Sequence, residues 1–358
     1  QKTRHRSLIP NMEKFSKGVV KIFPAFLALF VALVIPFYYG YSKTNDEVYY
    51  DMGECLPQDI DYVIANSKLS EDFDIASTHM LLVDANLPSS EVRSMIDEME
   101  DVDGVKYVLG LESVVGSLVP EDILPDSVRS VLKSDKWELL LINSEYRVAS
   151  DAVNTQLDSL NAVLKEHDLS GMLIGEAPCM KDMIETTGHD FQVVNMISII
   201  AIFVIIALVE KSITLPIILV AVIELAIFIN LGLPHFLGQS LPFIAPICIS
   251  TIQLGATVDY AILFSDRYQE FRETLDKKQA IAATVSTVTT SVITTGSALA
   301  VVGFLMGAIS TNQLLGQLGN FLGVGGLVSL AIVLLALPGY LYLADPLIIK
   351  PKKQPKEA

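Results

Sequence analysis

Six apolar runs, each long enough to cross a lipid bilayer, constrain the fold of this chain more than any other feature. A helix rises about 1.5 Å per residue, so about 20 apolar residues cross the roughly 30 Å of hydrocarbon. Backbone groups in hydrocarbon must be hydrogen-bonded internally, which predicts that each run is helical. The predicted membrane spans are residues 22–41, 193–209, 213–233, 241–264, 281–308 and 314–343.

Charged residues between and beyond these spans predict the orientation of the chain. A basic, amphipathic segment, residues 1–21, precedes the first span, and a basic tail, residues 346–358, follows the bundle of residues 191–345. Two of the breaks between spans, Glu210-Lys211 and residues 266–278, are also charged. Because Lys and Arg collect on the cytoplasmic side of membrane proteins, we expect both termini to be cytoplasmic. The chain is then a multi-pass protein of the cell membrane.

The region between the first two spans has a different composition from the rest of the chain. Residues 43–190 carry 31 Asp and Glu against 10 Lys and Arg, a net charge of −21, whereas the remaining residues carry a net charge of +5. A strongly acidic surface repels the phosphates of nucleic acids, so we expect no nucleic-acid partner. The orientation given above makes residues 42–190 an extracytoplasmic domain.

This acidic domain repeats a β-α-β pattern twice. In each copy a strand-like run precedes a helix whose apolar residues recur every three or four positions, and a second short strand follows. The two copies cover residues 79–109 and 137–174. The pattern predicts an α+β domain of the ferredoxin-like type, built either as two split-βαβ subdomains or as the two halves of one.

We find no pattern that indicates an enzyme or a bound metal or cofactor. His79, His167 and His189 lack the spacing of metal ligands, and no nucleophile–base pair or nucleotide-binding loop is recognisable. Cys55 and Cys179 flank the acidic domain. They could form a disulfide bond in an oxidising compartment or remain two free thiols.

The fourth span contains a carboxylate, Asp259, followed by a phenol, Tyr260. An aspartate at the centre of a membrane helix costs about 2.5–3.5 kcal/mol, so such residues usually face a protein interior or a water-filled path. Seven residues separate Asp259 from the charged break at Asp266, which is roughly 10 Å along a helix. Burial disfavours a charged carboxylate, so we interpret Asp259 as a proton carrier. The hydroxyl of Tyr260 could donate to the carboxylate of a facing helix. The alternative is a carboxyl held by a neighbouring Thr to fasten helices together.

Other polar residues within the spans could support such a relay. The fifth span carries hydroxyl residues near one helical face, and these could orient the carboxylate or hold water: Thr287, Thr290, Ser291 and Thr294. Hydroxyl residues also serve plain helix packing. Glu224, in the third span, could extend the relay, bind a cationic group of a substrate, or form a packing hydrogen bond.

Three segments resemble a known family. The sequence Gly255-Ala-Thr-Val-Asp-Tyr260, followed by Arg267-Tyr-Gln-Glu270, resembles the fourth-span motif of the RND superfamily, and in particular of its MMPL-type exporters. Residues 294–304 resemble the next span of that family, and residues 173–182 resemble the segment leading into its second span. The order of one span, a βαβ domain and five spans is similar to one RND half along essentially the whole chain.

The resemblance implies a proton-driven exporter of lipids or other hydrophobic molecules, with a porter-type outer domain and with Asp259 and Tyr260 in its proton relay. Members of the family usually have twelve spans in two halves, each with its own Asp-Tyr pair. The partners implied are therefore protons, membrane lipids, a hydrophobic or lipid-like substrate and a second half. That half would come from a second chain or from the same polypeptide, in which case these residues would form the C-terminal half.

Three further functions fit the same elements. The chain could be a sterol-sensing-like regulator or a membrane assembly scaffold, either of which would keep the fold without transport. It could also be an accessory of protein translocation similar to SecDF. A regulator or scaffold would need the outer domain but tolerate loss of both Asp259 and Glu224, whereas the Asp-Tyr pattern fits the MMPL type better than the SecDF type.

Overall fold

The computed structural model describes residues 13–115 and 130–348. The chain divides into two compact units, Gln1–Tyr49 with Phe191–Ala358, and Tyr50–Asp190. We call the first the membrane unit and the second the sheet unit. Most of the predicted basic segment 1–21 and of the tail 346–358 lies outside the described residues.

Helices dominate both units. In chain order they are α1 (Glu13–Asp46), α2 (Asp61–Phe73), α3 (Ser89–Glu100), α4 (Leu111–Val115), α5 (Asp151–His167), α6 (Glu176–Glu210), α7 (Thr214–Leu237), α8 (Ala245–Arg272), α9 (Lys277–Ile309), α10 (Gln313–Leu335) and α11 (Leu337–Ile348). Six helices, α1 and α6 to α10, are long and apolar enough to cross a membrane. The prediction of a helical membrane protein is therefore confirmed.

The last predicted span, residues 314–343, is interrupted in the structure. Helix α10 ends at Leu335 and α11 begins at Leu337. Pro338 lacks an amide hydrogen and its ring would collide with the preceding turn of a continuous helix. Proline is accommodated instead in the first turn of a new helix, which explains why α11 begins there.

Two helices form the centre of the membrane unit. Within their most apolar windows, 67% of α7 and 56% of α10 are buried, against 6% of α6. Helices α9 and α10 pack backbone against backbone: a Cβ atom added at Gly303 would lie 2.5 Å from the Gly323 nitrogen. One added at Gly319 would lie 2.6 Å from the Gly307 nitrogen. Small residues allow membrane helices this close approach.

Charged side chains join helices at the end of the bundle where α8 ends. Asp345 of α11 is 6% exposed and accepts hydrogen bonds from Tyr268 Oη at 2.6 Å and from Arg272 Nε at 2.8 Å. Glu210, the last residue of α6, accepts hydrogen bonds from Ser265 and Gln269 of α8. Helix α8 is thereby fixed to both α6 and α11.

The sheet unit contains one four-stranded antiparallel sheet. Its strands are β1 (Ser77–Asp84), β2 (Val105–Leu109), β3 (Trp137–Ser144) and β4 (Met172–Ile174), in the spatial order β2-β3-β1-β4. Alternate residues of β1 are buried, as expected for a sheet with one covered face. The apolar residues of α3 and α5 pack in one core with Leu81, Val83 and Leu140. Each of the two predicted βαβ copies therefore supplies two strands of a single sheet.

An ion-pair cluster joins α3 and α5 on the surface of the sheet unit. His167 Nδ1 lies 2.9 Å from Glu91 Oε1, and His167 Nε2 lies 3.2 Å from Glu98 Oε1. Partial burial would lower the pKa of His167, but the hydrogen bonds to Glu91 and Glu98 outweigh it and raise the pKa. Both ring nitrogens donate only when the imidazole is protonated, so the cluster favours the charged form.

We expect the stability of the sheet unit to fall as the pH rises above the ordinary histidine value of about 6.5. The pKa of His167 is higher in the folded state, so its stabilisation is complete below that value and is lost as the pH rises through the folded pKa. The loss is about 0.5–1 kcal/mol, typical of partly exposed ion pairs. Unfolding followed through Trp137, the single tryptophan, should show this loss. The variant His167→Gln should abolish it, whereas His189→Gln, at an exposed position, should leave it unchanged.

We also expect Gly303→Ala to destabilise the membrane unit by about 1–3 kcal/mol, the usual cost of overpacking. The added methyl group would meet backbone atoms of α10 at 2.5–2.8 Å. The control is Gly316→Ala on α10, whose Cβ would meet only the Gly307 oxygen, at 3.7 Å. Thermal unfolding in detergent measures both variants. Equal stability of the two would contradict the close α9–α10 packing.

Candidate functional site

Helix α8 presents two different faces, and the predicted relay residues lie on different ones. Its buried face carries Ile249, Gln253, Thr257, Tyr260 and Phe264, spaced three or four residues apart. Tyr260 is 9% exposed. Asp259 is the next residue round the helix, about 100° away, and its side chain is exposed.

The position of Asp259 differs from the interior-facing one that the sequence predicts. Its face of α8 also carries Ile252, which is 44% exposed, and the exposed Gly255. Among the described residues, neither Asp259 nor Tyr260 forms a side-chain hydrogen bond or an ion pair. The apolar periodicity of α8 identifies the residues that share a face, but it does not tell which face other helices of the same unit cover.

The predicted hydroxyl residues of α9 are also exposed. This set, which we call the hydroxyl stripe, comprises Thr287, Thr290, Ser291 and Thr294. Thr287 and Thr294 donate their hydroxyl hydrogens to carbonyl oxygens one turn earlier in α9, at 2.9 and 2.8 Å. None of the four forms a hydrogen bond with Asp259. The membrane unit therefore exposes a carboxylate and a set of hydroxyls within two of its spans.

Glu224 lies elsewhere, on α7. Its side chain is half-buried, and its Oε1 atom is buried without a hydrogen-bond partner among the described residues. Phe228, one turn further along α7, packs against Tyr38 and Tyr41 of α1. No described contact connects Glu224 with Asp259, so the structure does not bring these two carboxylates together.

A buried polar cluster, which the sequence analysis missed, joins α7, α8 and α10. We call Asn230, Gln253, Thr257 and Ser329 the amide–hydroxyl cluster; each of its side chains is at most 2% exposed. Asn230 Nδ2 donates to Gln253 Oε1 at 2.8 Å, and Gln253 Nε2 donates to Ser329 Oγ at 3.2 Å. Thr257 Oγ1 lies 2.7 Å from Ser329 Oγ. Two signals could have revealed the cluster: an Asn in the most apolar part of α7, and Gln253 and Thr257 four residues apart in α8.

A cavity of about 420 Å³ opens next to this cluster in the membrane unit. Its lining mixes apolar and polar side chains: Leu233, Leu237, Gln239, Ser240, Gln317, Asn320, Phe321 and Val324. It lies at the end of the bundle where the Tyr49 backbone hydrogen-bonds with Leu241 and Phe243. We call this end the Tyr49 end.

The sheet unit contains no cluster of metal-ligating residues among those described. Cys55 is buried and Cys179 is exposed, and no disulfide bond joins them in this structure. His79 is fully buried and contacts Gln156 at 3.3 Å; burial lowers its pKa, and the hydrogen bond opposes that effect. A cleft of about 650 Å³ lies beside α2 and is lined by Tyr62, Leu69 and Arg147, among other residues.

Comparison with known proteins identifies the family. The MMPL family model matches residues 111–357, well over half of the chain. A protein of Methanocaldococcus jannaschii whose name describes it only as a membrane protein is 22% identical, over 89% of this chain and 91% of its own length. The match includes the last five membrane helices and both Asp259 and Tyr260. The chain therefore belongs to the MMPL family and forms one half of the RND type.

Proposed function

We propose that this chain is one half of a proton-driven exporter that moves lipids or other hydrophobic molecules across the cell membrane. Asp259 carries the proton and Tyr260 assists its transfer. The observation that carries this proposal is the exposed carboxylate of Asp259 within a membrane span of an MMPL-family chain.

The energetic cost of Asp259 supports a second half. A carboxylate facing lipid at mid-membrane costs about 2.5–3.5 kcal/mol, and membrane proteins place such groups against protein or water. The exposed hydroxyl stripe on the neighbouring helix α9 would line the same polar junction. A second six-helix unit over this surface removes the cost and encloses the carboxylate. The hydroxyl stripe of α9, together with bound water, would then keep the proton path polar.

The second half comes from the same polypeptide or from a second chain. In either case the second half would cover the face of α8 that carries Asp259.

The topology of the sheet unit supports a role for it as a porter-type domain. Its strand order, β2-β3-β1-β4, with one helix following β1 and another following β3, is that of a split-βαβ, ferredoxin-like fold. The basic segments before the first span and after the last favour termini in the cytoplasm and therefore an extracytoplasmic position for this domain. Movement of this domain, driven by proton transfer at Asp259, would deliver the substrate.

We expect Asp259→Asn to reduce proton-coupled export by about 100-fold, because an amide cannot exchange a proton and general acid–base groups contribute factors of this size. Vesicles containing the reconstituted protein, a fluorescent lipid and a pH-sensitive dye measure substrate and proton movement together. The control is Asp266→Asn, at an exposed position two turns further along α8, which should transport normally. Undiminished export by Asp259→Asn would refute the relay, whereas absence of export by the unaltered protein would favour a regulator or scaffold.

A second half seated on the Asp259 face should be displaced by a bulky residue at Gly255. A Cβ atom added there meets no other atom within 4 Å in this unit, so Gly255→Trp should fold normally. We expect it to abolish both association and export. Gly18→Trp, at a position that is equally unobstructed on α1, should do neither. Native mass spectrometry, or gel filtration in detergent, measures the association.

Normal association of the Gly255→Trp protein would place the second half on another surface. If the second half belongs to the same polypeptide, the longer protein is tested instead, by cross-linking between cysteines placed on the two halves.

A further inference from the structure

The amide–hydroxyl cluster forms a chain of hydrogen bonds with a defined direction. Asn230 donates to the side-chain carbonyl of Gln253, whose amide group donates to Ser329. Thr257 Oγ1 lies 2.6 Å from the Gln253 backbone oxygen, which can only accept. Because a hydroxyl has one hydrogen, Thr257 donates to that oxygen and accepts from Ser329. The series of hydrogen bonds therefore runs from Asn230 to Thr257 and joins three helices.

One acceptor at the start of this series of hydrogen bonds has no partner among the described residues. The second hydrogen of Asn230 Nδ2 is directed to the Phe321 carbonyl oxygen at 3.0 Å, but Asn230 Oδ1 is buried with no hydrogen-bond partner among the described residues. An unsatisfied buried acceptor costs about 1–3 kcal/mol. Buried water usually satisfies such groups.

The cavity at the Tyr49 end adjoins this acceptor on two helices. On α7, Leu233 lines the cavity and Asn230 lies one turn earlier. On α10, Phe321 lines the cavity while its backbone oxygen binds Asn230. The amide side chains of Gln317 and Asn320 line the same cavity, so its wall offers polar groups to water.

We propose that the cavity and the amide–hydroxyl cluster form one water-accessible path, which enters the membrane unit at the Tyr49 end and reaches Thr257. Water binds at Asn230 Oδ1 and continues the polar wall of the cavity into the cluster. The path lies inside one six-helix unit and is independent of any second half. Thr257 precedes Tyr260 by one turn on the buried face of α8. If the proposed function holds, the path therefore leads protons to the inner side of the Asp259–Tyr260 pair.

Gly325 lies against the side chains of Asn230 and Gln253 on the proposed path. A Cβ atom added at Gly325 would lie 2.6 Å from Asn230 Nδ2 and 2.9 Å from Gln253 Oε1. Both are atoms at the ends of side chains, so an alanine there would be accommodated by displacing them. The methyl group would press on the Asn230 and Gln253 amides, through which the proposed path runs. We therefore expect Gly325→Ala to obstruct the path without moving the helices.

Cysteine accessibility in the full-length protein tests the path without any measurement of transport. Cys55, Cys179 and Cys248 are replaced, and single cysteines are introduced as Asn320→Cys, Ser329→Cys, Val333→Cys or Leu327→Cys. Sealed vesicles are exposed to Ag⁺ in chloride-free buffer, and the thiols that remain free are counted after unfolding. Ag⁺ is small enough to follow water, and it reacts with thiolates, which do not form in apolar surroundings. A variant that retains only the exposed Cys179 shows whether Ag⁺ reaches the side of the membrane on which the sheet unit lies.

We expect Asn320→Cys and Ser329→Cys to react from the same side as Cys179. Ser329→Cys should react at least about tenfold faster than Val333→Cys, one turn further along α10 and fully buried, since only a hydrated thiol ionises. Leu327→Cys, 46% exposed on the same helix, should be slow because its surroundings are apolar. Adding Gly325→Ala should slow Ser329→Cys, whereas adding Gly316→Ala should not.

Two results would overturn the path. Ser329→Cys could react as slowly as Val333→Cys, which would mean a dry cluster. It could also react at a rate that Gly325→Ala leaves unchanged, or only from the side opposite Cys179, which would mean a different entrance. Failure of proton-coupled export leaves these labelling rates unaffected, so the path and the proposed function are tested separately.

Discussion

The cost of polar groups in hydrocarbon is the constraint on which the arrangement of the membrane unit depends. Each polar side chain within the bundle must be paired, hydrated or covered by protein. Asp345 is paired, because Tyr268 and Arg272 both donate to it. The amide–hydroxyl cluster satisfies most of its own donors and acceptors. Among the described residues, Asp259 has no hydrogen-bonding or ionic partner and its side chain is exposed, and that difference makes it the candidate for function.

Helix α8 takes part in all three polar arrangements: the Asp345 ion pair, the amide–hydroxyl cluster and the exposed Asp259. Its end at Tyr268 and Arg272 is fixed to α11 by the ion-paired Asp345. Its middle contributes Gln253 and Thr257 to the interior. The same helix exposes Asp259. A change in the protonation of Asp259 would therefore act on a helix that is held rigidly at its end and hydrogen-bonded in its interior. The apolar packing of α9 against α10, which is set by Gly303 and Gly319, contributes no ionisable group to this arrangement.

The sequence predicted the features that depend on local composition. The six spans follow from hydropathy alone, and the βαβ copies follow from alternating periodicities. Local sequence patterns could not predict that both copies form one sheet, because the pairing of β1 with β3 joins residues about 60 positions apart. Pro338 could have predicted the end of α10 at Leu335, but the predicted span continued past it. The exposure of Asp259 depends on which helices cover α8, which no local pattern records. Asn230 and Gln253 were overlooked because uncharged amides interrupt hydropathy less than a carboxylate does.

The adjacency of Asp259 and Tyr260 has a geometric consequence. Successive residues of a helix point about 100° apart, so a pair of neighbours can serve two faces that no single side chain reaches. Tyr260, 9% exposed, continues the buried face that carries Gln253 and Thr257, while Asp259 lies on the exposed face. A phenol hydroxyl both donates and accepts hydrogen bonds. Under the proposed function, Tyr260 is therefore the residue through which a proton passes from the polar interior of this unit to the carboxylate at its surface.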